Sequence, residues 1–120
     1  QLDLEDKLAA DFYQLSLNAL AGTAQGDALV VRALLQNKVM LILVDSGSSH
    51  SFISKSLVHK LNIPIVPMTH QNVRLANGNI LITDQWIPQL NWWCDGYTVQ
   101  TDMKVLYIPA YDAILGYDWL

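Results

Sequence analysis

Asp45 stands where an apolar run meets a polar turn. Six apolar residues, Val39 to Val44, lead into it, and Ser46-Gly47-Ser48-Ser49 follow. A carboxylate delivered in this way can end in a partly buried cleft, where burial and neighbouring groups suit it to general acid–base work. An Asp that only accepts backbone N–H groups in a turn has the same local sequence. For an isolated Asp-Ser-Gly that plainer reading is the commoner one.

Other residue types with chemical potential fare less well. Ser49 and His50 lie close to Asp45, but a hydrolase triad converges from distant segments and three residues in one turn rarely do. No Gly-x-Ser-x-Gly elbow occurs. His50, His59 and His70 match no zinc spacing, and His-Glu-x-x-His is absent, so neither a metal nor another cofactor is expected. His59 is expected on the solvated side of a helix, while His50 could help shape the turn after Asp45. Trp86, Trp92, Trp93, Trp119 and Tyr97 could stack on bases, but a net charge of -4 leaves no phosphate-tracking groove beside them. They are expected in the core or in a pocket wall. Cys94 is expected to act as a small buried hydrophobe and Asp84 as a surface or strand-end group.

The elements that would position Asp45 are mostly strands. A helix or irregular lead-in through residue 13 is expected, then a strand near Gln14 to Leu20 and a loop bracketed by Gly22 and Gly26. Ala28 to Leu35 and Lys38 to Val44 form a hairpin around Gln36-Asn37, where Asn tolerates a positive φ. The second of these strands is apolar throughout, as one covered on both faces would be. Ser51 to Leu61 has helical spacing and is stopped by Asn62 and Pro64. Met68 to Leu75 and Asn79 to Trp86 flank Ala76-Asn77-Gly78, a strong hairpin signal, and Pro88 is expected to end that unit. Trp92-Trp93 and Tyr97 to Ile108 give two further strands around Asp95-Gly96. Ala113 to Gly116 closes the series, with Tyr117 to Leu120 opening a helix. The sum is a mostly-β domain, a small closed or sandwiched sheet with one or two short helices.

Composition bounds the function. At 120 residues, 52% hydrophobic and 15% charged, the chain suits one domain with a real core and excludes a disordered tail. Seven basic against eleven acidic residues exclude a nucleic-acid groove and a polybasic membrane patch. The single cysteine excludes an intramolecular disulfide and a cysteine-built zinc site, and fits a reducing compartment. The run of six apolar residues is too short to span a bilayer. The acidic start, Gln1-Leu2-Asp3-Leu4-Glu5-Asp6, is unlike a signal peptide, and without an initiator Met the chain is expected to be a piece of a longer polypeptide.

Asp45 is not an isolated signal. Ser16 to Gly22, Ile42 to Ile53 with Val44-Asp45-Ser46-Gly47 inside it, Val73 to Gly78, and Asp112 to Leu120 with Ile114-Leu115-Gly116 inside it recur in this order. About seventy residues separate Asp45 from the last of them. The layout resembles retropepsin-like aspartic proteases, and more narrowly the protease domain of Ty3/gypsy-type LTR retrotransposon polyproteins, the plant ones especially. The resemblance covers the chain from about residue 14 to its end, with residues 1–13 as a lead-in.

That resemblance implies a retropepsin-like β-barrel or sandwich, half of a pepsin-like bilobal fold. It implies a polypeptide substrate, cleavage of a Gag-Pol-type polyprotein, and a cytoplasmic location, virus-like particles included. Each chain would supply one catalytic Asp, so two Asp45 side chains would meet at the axis of a homodimer. Ser46 would bond across to the partner's loop and Gly47 would let the backbone approach the carboxylates. Ala76, Asn77 and Gly78 would form a flap tip over the substrate. Ile114, Leu115 and Gly116 would pack behind the catalytic turn, with Leu43 and Ile114 in the core. Family members continue past the Trp-Leu end into a helix and a strand that often joins the dimer sheet. Here the chain ends at Leu120, so a weakly active or inactive dimerisation or peptide-binding module is the alternative.

Overall fold

The computed structural model describes residues 13–15, 29–75 and 78–119. The lead-in before residue 13, most of the strand expected near Gln14 to Leu20, the Gly22–Gly26 loop, Ala76, Asn77 and Leu120 lie outside the described residues.

Eight strands and one short helix follow along the described chain: β1 (Tyr13–Leu15), β2 (Leu29–Leu35), β3 (Lys38–Val44), β4 (Phe52–Ser54), α1 (Lys55–Lys60), β5 (Val66–Leu75), β6 (Ile80–Cys94), β7 (Tyr97–Leu106) and β8 (Ala113–Leu115). Turn chemistry explains the hairpins. Gln36 and Asn37 have φ of 51° and 64°, both left-handed, which matches the twist of β2 and β3 and sets Leu35 opposite Lys38. Asp95 and Gly96, at 50° and 84°, do the same between β6 and β7.

The strands close into a ring. The order β6-β2-β3-β8-β4-β7 returns to β6 through the β6–β7 pairing, so six strands make a mostly-β barrel with no free edge among them. β5 lies outside the ring on the first half of β6, and β1 runs parallel along β5 with Tyr13 opposite Val73.

Side-chain alternation sorts the core into two layers. Met40, Ile42, Ile53, Met103, Val105, Ala113 and Leu115 belong to the first, with Val44 packed against it. Leu43, Phe52, Leu106 and Ile114, the alternate residues of the same strands, meet Val73 and Leu75 of β5 in the second. This two-sided burial is why β3 reads as a continuous apolar run. It holds only near Asp45: Val39 and Leu41, toward the other end of β3, are 63% and 37% exposed. Phe52 has no exposed surface. Truncating it to Ala should cost about 3–5 kcal/mol, because the cavity would sit between paired strands that cannot collapse inward. Denaturant unfolding measures this loss.

Three expectations need correction. The helix expected over Ser51 to Leu61 is strand at Phe52–Ser54 and helix only at Lys55–Lys60. Phe52 and Ile53 are paired on both sides, to β7 and β8, and two ladders outweigh the helical spacing of their side chains. The stop at Asn62 is as expected, with φ of 52°. Pro88 does not end its unit. β6 runs on to Cys94 because Pro88 sits where the register shifts, between the Ile87↔Met103 and Leu90↔Thr101 pairs. A bulge needs no N–H from the proline, and the Gln89 N–H is taken by Asp102 Oδ1 at 2.8 Å. Lastly, Tyr117 to Trp119 form a turn, closed by the Trp119 N–H to the Gly116 carbonyl at 3.1 Å, and not the first turn of an α-helix.

Candidate active site

Asp45 is placed by an interleaving of three strands. The turn after β3 carries it, and β4 leaves that turn. β8 comes from about seventy residues later and inserts between β3 and β4, parallel to the first and antiparallel to the second. The backbone on either side of the turn is therefore hydrogen-bonded to β8. The Asp45 N–H extends that ladder, donating to the Leu115 carbonyl at 2.9 Å.

Within the turn, Asp45 is 7% exposed while Ser46 and Gly47 on its outer side are exposed. The Gly47 N–H donates to Asp45 Oδ1 at 2.8 Å and the Ser48 N–H to the Asp45 carbonyl at 3.1 Å. The first bond fixes the carboxylate plane. The result is a carboxylate held rigidly at the base of an exposed turn. That suits a group which must orient a water molecule and exchange a proton with it.

A second set of bonds locks the turn from below. Ser51 Oγ accepts the Gly116 N–H at 3.2 Å and donates to Asp118 Oδ1 at 2.9 Å. The Tyr117 N–H reaches the Ser48 carbonyl at 2.7 Å and the Asp118 N–H the Ser49 carbonyl at 3.2 Å. Gly116 permits this approach: a Cβ there would lie 2.6 Å from the Ser48 carbonyl oxygen and closer still to that of His50. Leu43 and Ile114 lie immediately behind, fully buried.

A model of the retroviral aspartyl protease family matches residues 10–120. The chain belongs to that family. No curated protein matches it. Membership fixes the fold as retropepsin-like and implies aspartic peptidase activity.

In the frame of the aspartyl proteases, the residues singled out in the sequence fall into two groups. Asp45, Ser46, Gly47, Ile114, Leu115 and Gly116 are gathered at one end of the barrel. Gly78 closes the β5–β6 hairpin, with φ of 90° and its N–H on the Leu75 carbonyl at 3.0 Å; Ala76 and Asn77, the rest of the expected flap tip, lie outside the described residues. The aromatic set does not act together. Trp92 is buried and donates to Thr101 Oγ1 at 3.0 Å; Trp93 is exposed, while Trp119 and Tyr97 are exposed against expectation. Trp92 and Trp93 line a groove of about 440 Å³ with Leu34 and Thr98, at the far end of the β2–β3 hairpin from Asp45. His59 is exposed, as expected, and Asp84 pairs at the surface with His70 at 3.4 Å. Among the described residues no cluster of three or more His, Cys, Asp or Glu could hold a metal.

Four residues of the site were given no role from the sequence: Ser51 and Asp118, which lie inside the quoted segments, and Tyr13 and Lys104. Ser51 and Asp118 meet across sixty-seven positions of sequence. Their only local signal is a polar residue beside an apolar strand. Tyr13 stacks on His50 with ring centroids 3.8 Å apart, and Lys104 Nζ lies 5.9 Å from the same Tyr13 centroid. Burial pushes the Tyr13 phenol up. The His50 imidazole is held below its ordinary value, mainly by burial, with Lys104 pushing the same way and Asp118 opposing.

Proposed function

We propose that this chain is an aspartic endopeptidase in which Asp45 is the catalytic carboxylate and two copies pair to complete the site. The observation that carries the reading is Asp45 itself: nearly buried, fixed by the Gly47 N–H, and carried on a turn whose outer residues are open to solvent. The chain holds one Asp-Ser-Gly, and the chemistry needs two carboxylates, so a second copy supplies the other.

In the dimer, two carboxylates close together share one proton. The ionised one takes a proton from the water as its oxygen attacks the scissile carbonyl carbon. The protonated one donates to the carbonyl oxygen. Collapse of the tetrahedral diol breaks the C–N bond: the protonated carboxyl gives its proton to the leaving amine, and the ionised one takes a proton from a diol hydroxyl as the carbonyl of the new carboxylic acid forms. The proton count is restored at the end of the cycle. Ser46 would bond to the partner's loop, and Ala76, Asn77 and Gly78 would close over an extended peptide bound as an added strand. Ile114, Leu115 and Gly116 back the turn.

Exposed apolar side chains around the turn support pairing there. Leu29, opposite Val44, is 59% exposed, and Tyr117, whose N–H donates to the Ser48 carbonyl of the turn, and Trp119, two residues on, are exposed too. Such a patch beside a half-site suits association with a second copy. The quoted segments further support a Ty3/gypsy-type retrotransposon polyprotein, plant-like in character, as the parent. The protease domain would span residues 14–120, and the substrate would be the Gag-Pol-type polyprotein, processed in the cytoplasm or in particles assembled there.

The test is proteolysis of an unfolded substrate rich in apolar residues, followed against protein concentration. Specific activity should rise with concentration and level off as dimers fill, and pepstatin should inhibit it. Dimers that form without any cleavage between acidic and neutral pH would overturn the enzyme reading and leave a peptide-binding module.

A further inference from the structure

A continuous column of side chains runs from the second strand of the β5–β6 hairpin to the catalytic turn. Lys104 on β7 lies with its ammonium 5.3 Å from the Trp86 centroid of β6 and 5.9 Å from that of Tyr13 on β1. Tyr13 stacks on His50 at 3.8 Å, with 31° between the planes. His50 Nδ1 in turn lies 2.7 Å from Ser49 Oγ, one residue nearer Asp45. β1 is itself paired with β5, so the column ties the flap strand to the turn. The peptide-bond chemistry described above uses neither His50 nor Tyr13.

We propose that His50, wedged between Tyr13 and Ser49, is a positioning residue that fixes the Asp45 turn only in its uncharged form. The argument rests on which atoms donate. In the neutral imidazole with its proton on Nε2, Nδ1 accepts the Ser49 hydroxyl hydrogen. A second proton arrives on Nδ1 and reverses that bond, so the Ser49 hydroxyl must rotate and its hydrogen gives up Nδ1 as an acceptor. The new charge is also opposed by the Lys104 ammonium, which lies 5.9 Å from the Tyr13 ring stacked on His50.

Among the described residues, the charged and titratable groups facing His50 are the Tyr13 phenol from β1, the Lys104 ammonium from β7 and the Asp118 carboxylate from the turn after β8. Trp86, at the far end of the column, carries no charge. Asp118 favours the imidazolium, but burial and Lys104 oppose it, and the net direction is downward. The sign is then fixed. Between the lowered value and the ordinary one near 6.5, the unfolded chain binds a proton that the folded one does not, so the clamp is fully present above about 6.5 and is lost as pH falls through the lowered value.

The catalytic arm of this inference rests on the aspartic peptidase reading of Asp45, whereas its structural arm does not. The structural arm uses proton NMR of the full chain carrying Asp45→Asn, which removes that aspartate as a source of titration. The His50 ring signals should titrate below the usual histidine range, the amide signals of Gly47 to Ser51 should move with the same midpoint, and Tyr13→Ala should raise that midpoint toward 6.5. The catalytic arm compares kcat and KM against pH with Asp45 intact. His50→Ala should lower kcat about tenfold with little change in KM, and His50→Asn, which presents an acceptor oxygen near the place of Nδ1 but cannot titrate, should recover most of that loss. It should also move the acid limb of kcat to lower pH. Turn amides that ignore the His50 titration, a midpoint indifferent to Tyr13→Ala, or an acid limb unchanged in His50→Asn would each overturn the proposal. Absence of cleavage in every variant with the NMR coupling intact would sink the peptidase reading and support the clamp.

Discussion

Asp45→Asn should abolish cleavage and leave the fold standing. Asparagine keeps an oxygen where Asp45 Oδ1 accepts the Gly47 N–H, and the Asp45 backbone bonds to Leu115 and Ser48 do not involve the side chain. The geometry of the turn is therefore retained. Proton transfer is not: the amide neither takes a proton from water nor gives one to the carbonyl oxygen. General base and general acid each contribute roughly 10²–10⁴-fold, and in a symmetric dimer the substitution removes both, so the loss should be about 10⁴-fold or more. Stability should change by no more than about 1 kcal/mol, because a nearly buried charge is exchanged for a hydrogen-bonded neutral group. Mixing the variant with an equal amount of wild-type chain sharpens the test. If subunits exchange, about a quarter of the dimers keep both carboxylates, and activity should fall to about half of that expected for independent monomers. A linear dependence on the wild-type fraction would exclude a shared site.

What the sequence disclosed was whatever is decided locally. Gln36-Asn37 and Asp95-Gly96 announce their hairpins because few residue pairs tolerate two successive left-handed φ values. The apolar run into Asp45 announces a strand buried on both faces, and Ile42 and Leu43 are buried without remainder. The errors fall where distant strands decide. Phe52 and Ile53 have helical spacing with Leu57 and Val58, and only β7 and β8 on either side make strand the better state. Pro88 looks terminal until Asp102, on the neighbouring strand, is found to take the Gln89 N–H.

The site divides in the same way. Asp45 and Gly47 are adjacent in sequence and bonded to each other, so the motif carries its own geometry. Ser51, Asp118, Tyr13 and Lys104 have no such local signature. Ser51 and Asp118 meet only because β8 is threaded between β3 and β4, and Tyr13 reaches His50 only because β1 runs along β5. Composition also misled over the aromatic residues. Apolar character placed Trp119 and Tyr97 in the core or in a pocket wall, but a small barrel has too little interior for every aromatic residue, and these two emerge at its surface.

Gly116→Ala should damage activity more than a single methyl group suggests. The added Cβ would lie 2.6 Å from the Ser48 carbonyl oxygen and nearer still to the His50 carbonyl, both backbone atoms of the catalytic turn. Neither can rotate away as a flexible side chain would. Relief to an ordinary contact near 3.4 Å or more needs the turn and β8 to part by about 1 Å, which strains the Tyr117–Ser48 bond at 2.7 Å and the Gly116–Ser51 bond at 3.2 Å. Overpacking of this kind costs about 1–3 kcal/mol. The displacement matters more, since about 1 Å of misplacement at a reacting group can cost about 10²-fold in rate. Gly96→Ala is the proper comparison. Its φ of 84° strains an alanine, but no atom lies within 4 Å of the added Cβ, and the turn it occupies joins β6 to β7 rather than carrying Asp45. The two variants should therefore lose similar stability in urea, while only Gly116→Ala loses about two orders of magnitude in kcat. Equal losses of activity in both would mean that Gly116 acts through global stability, not through the place it leaves for the catalytic turn.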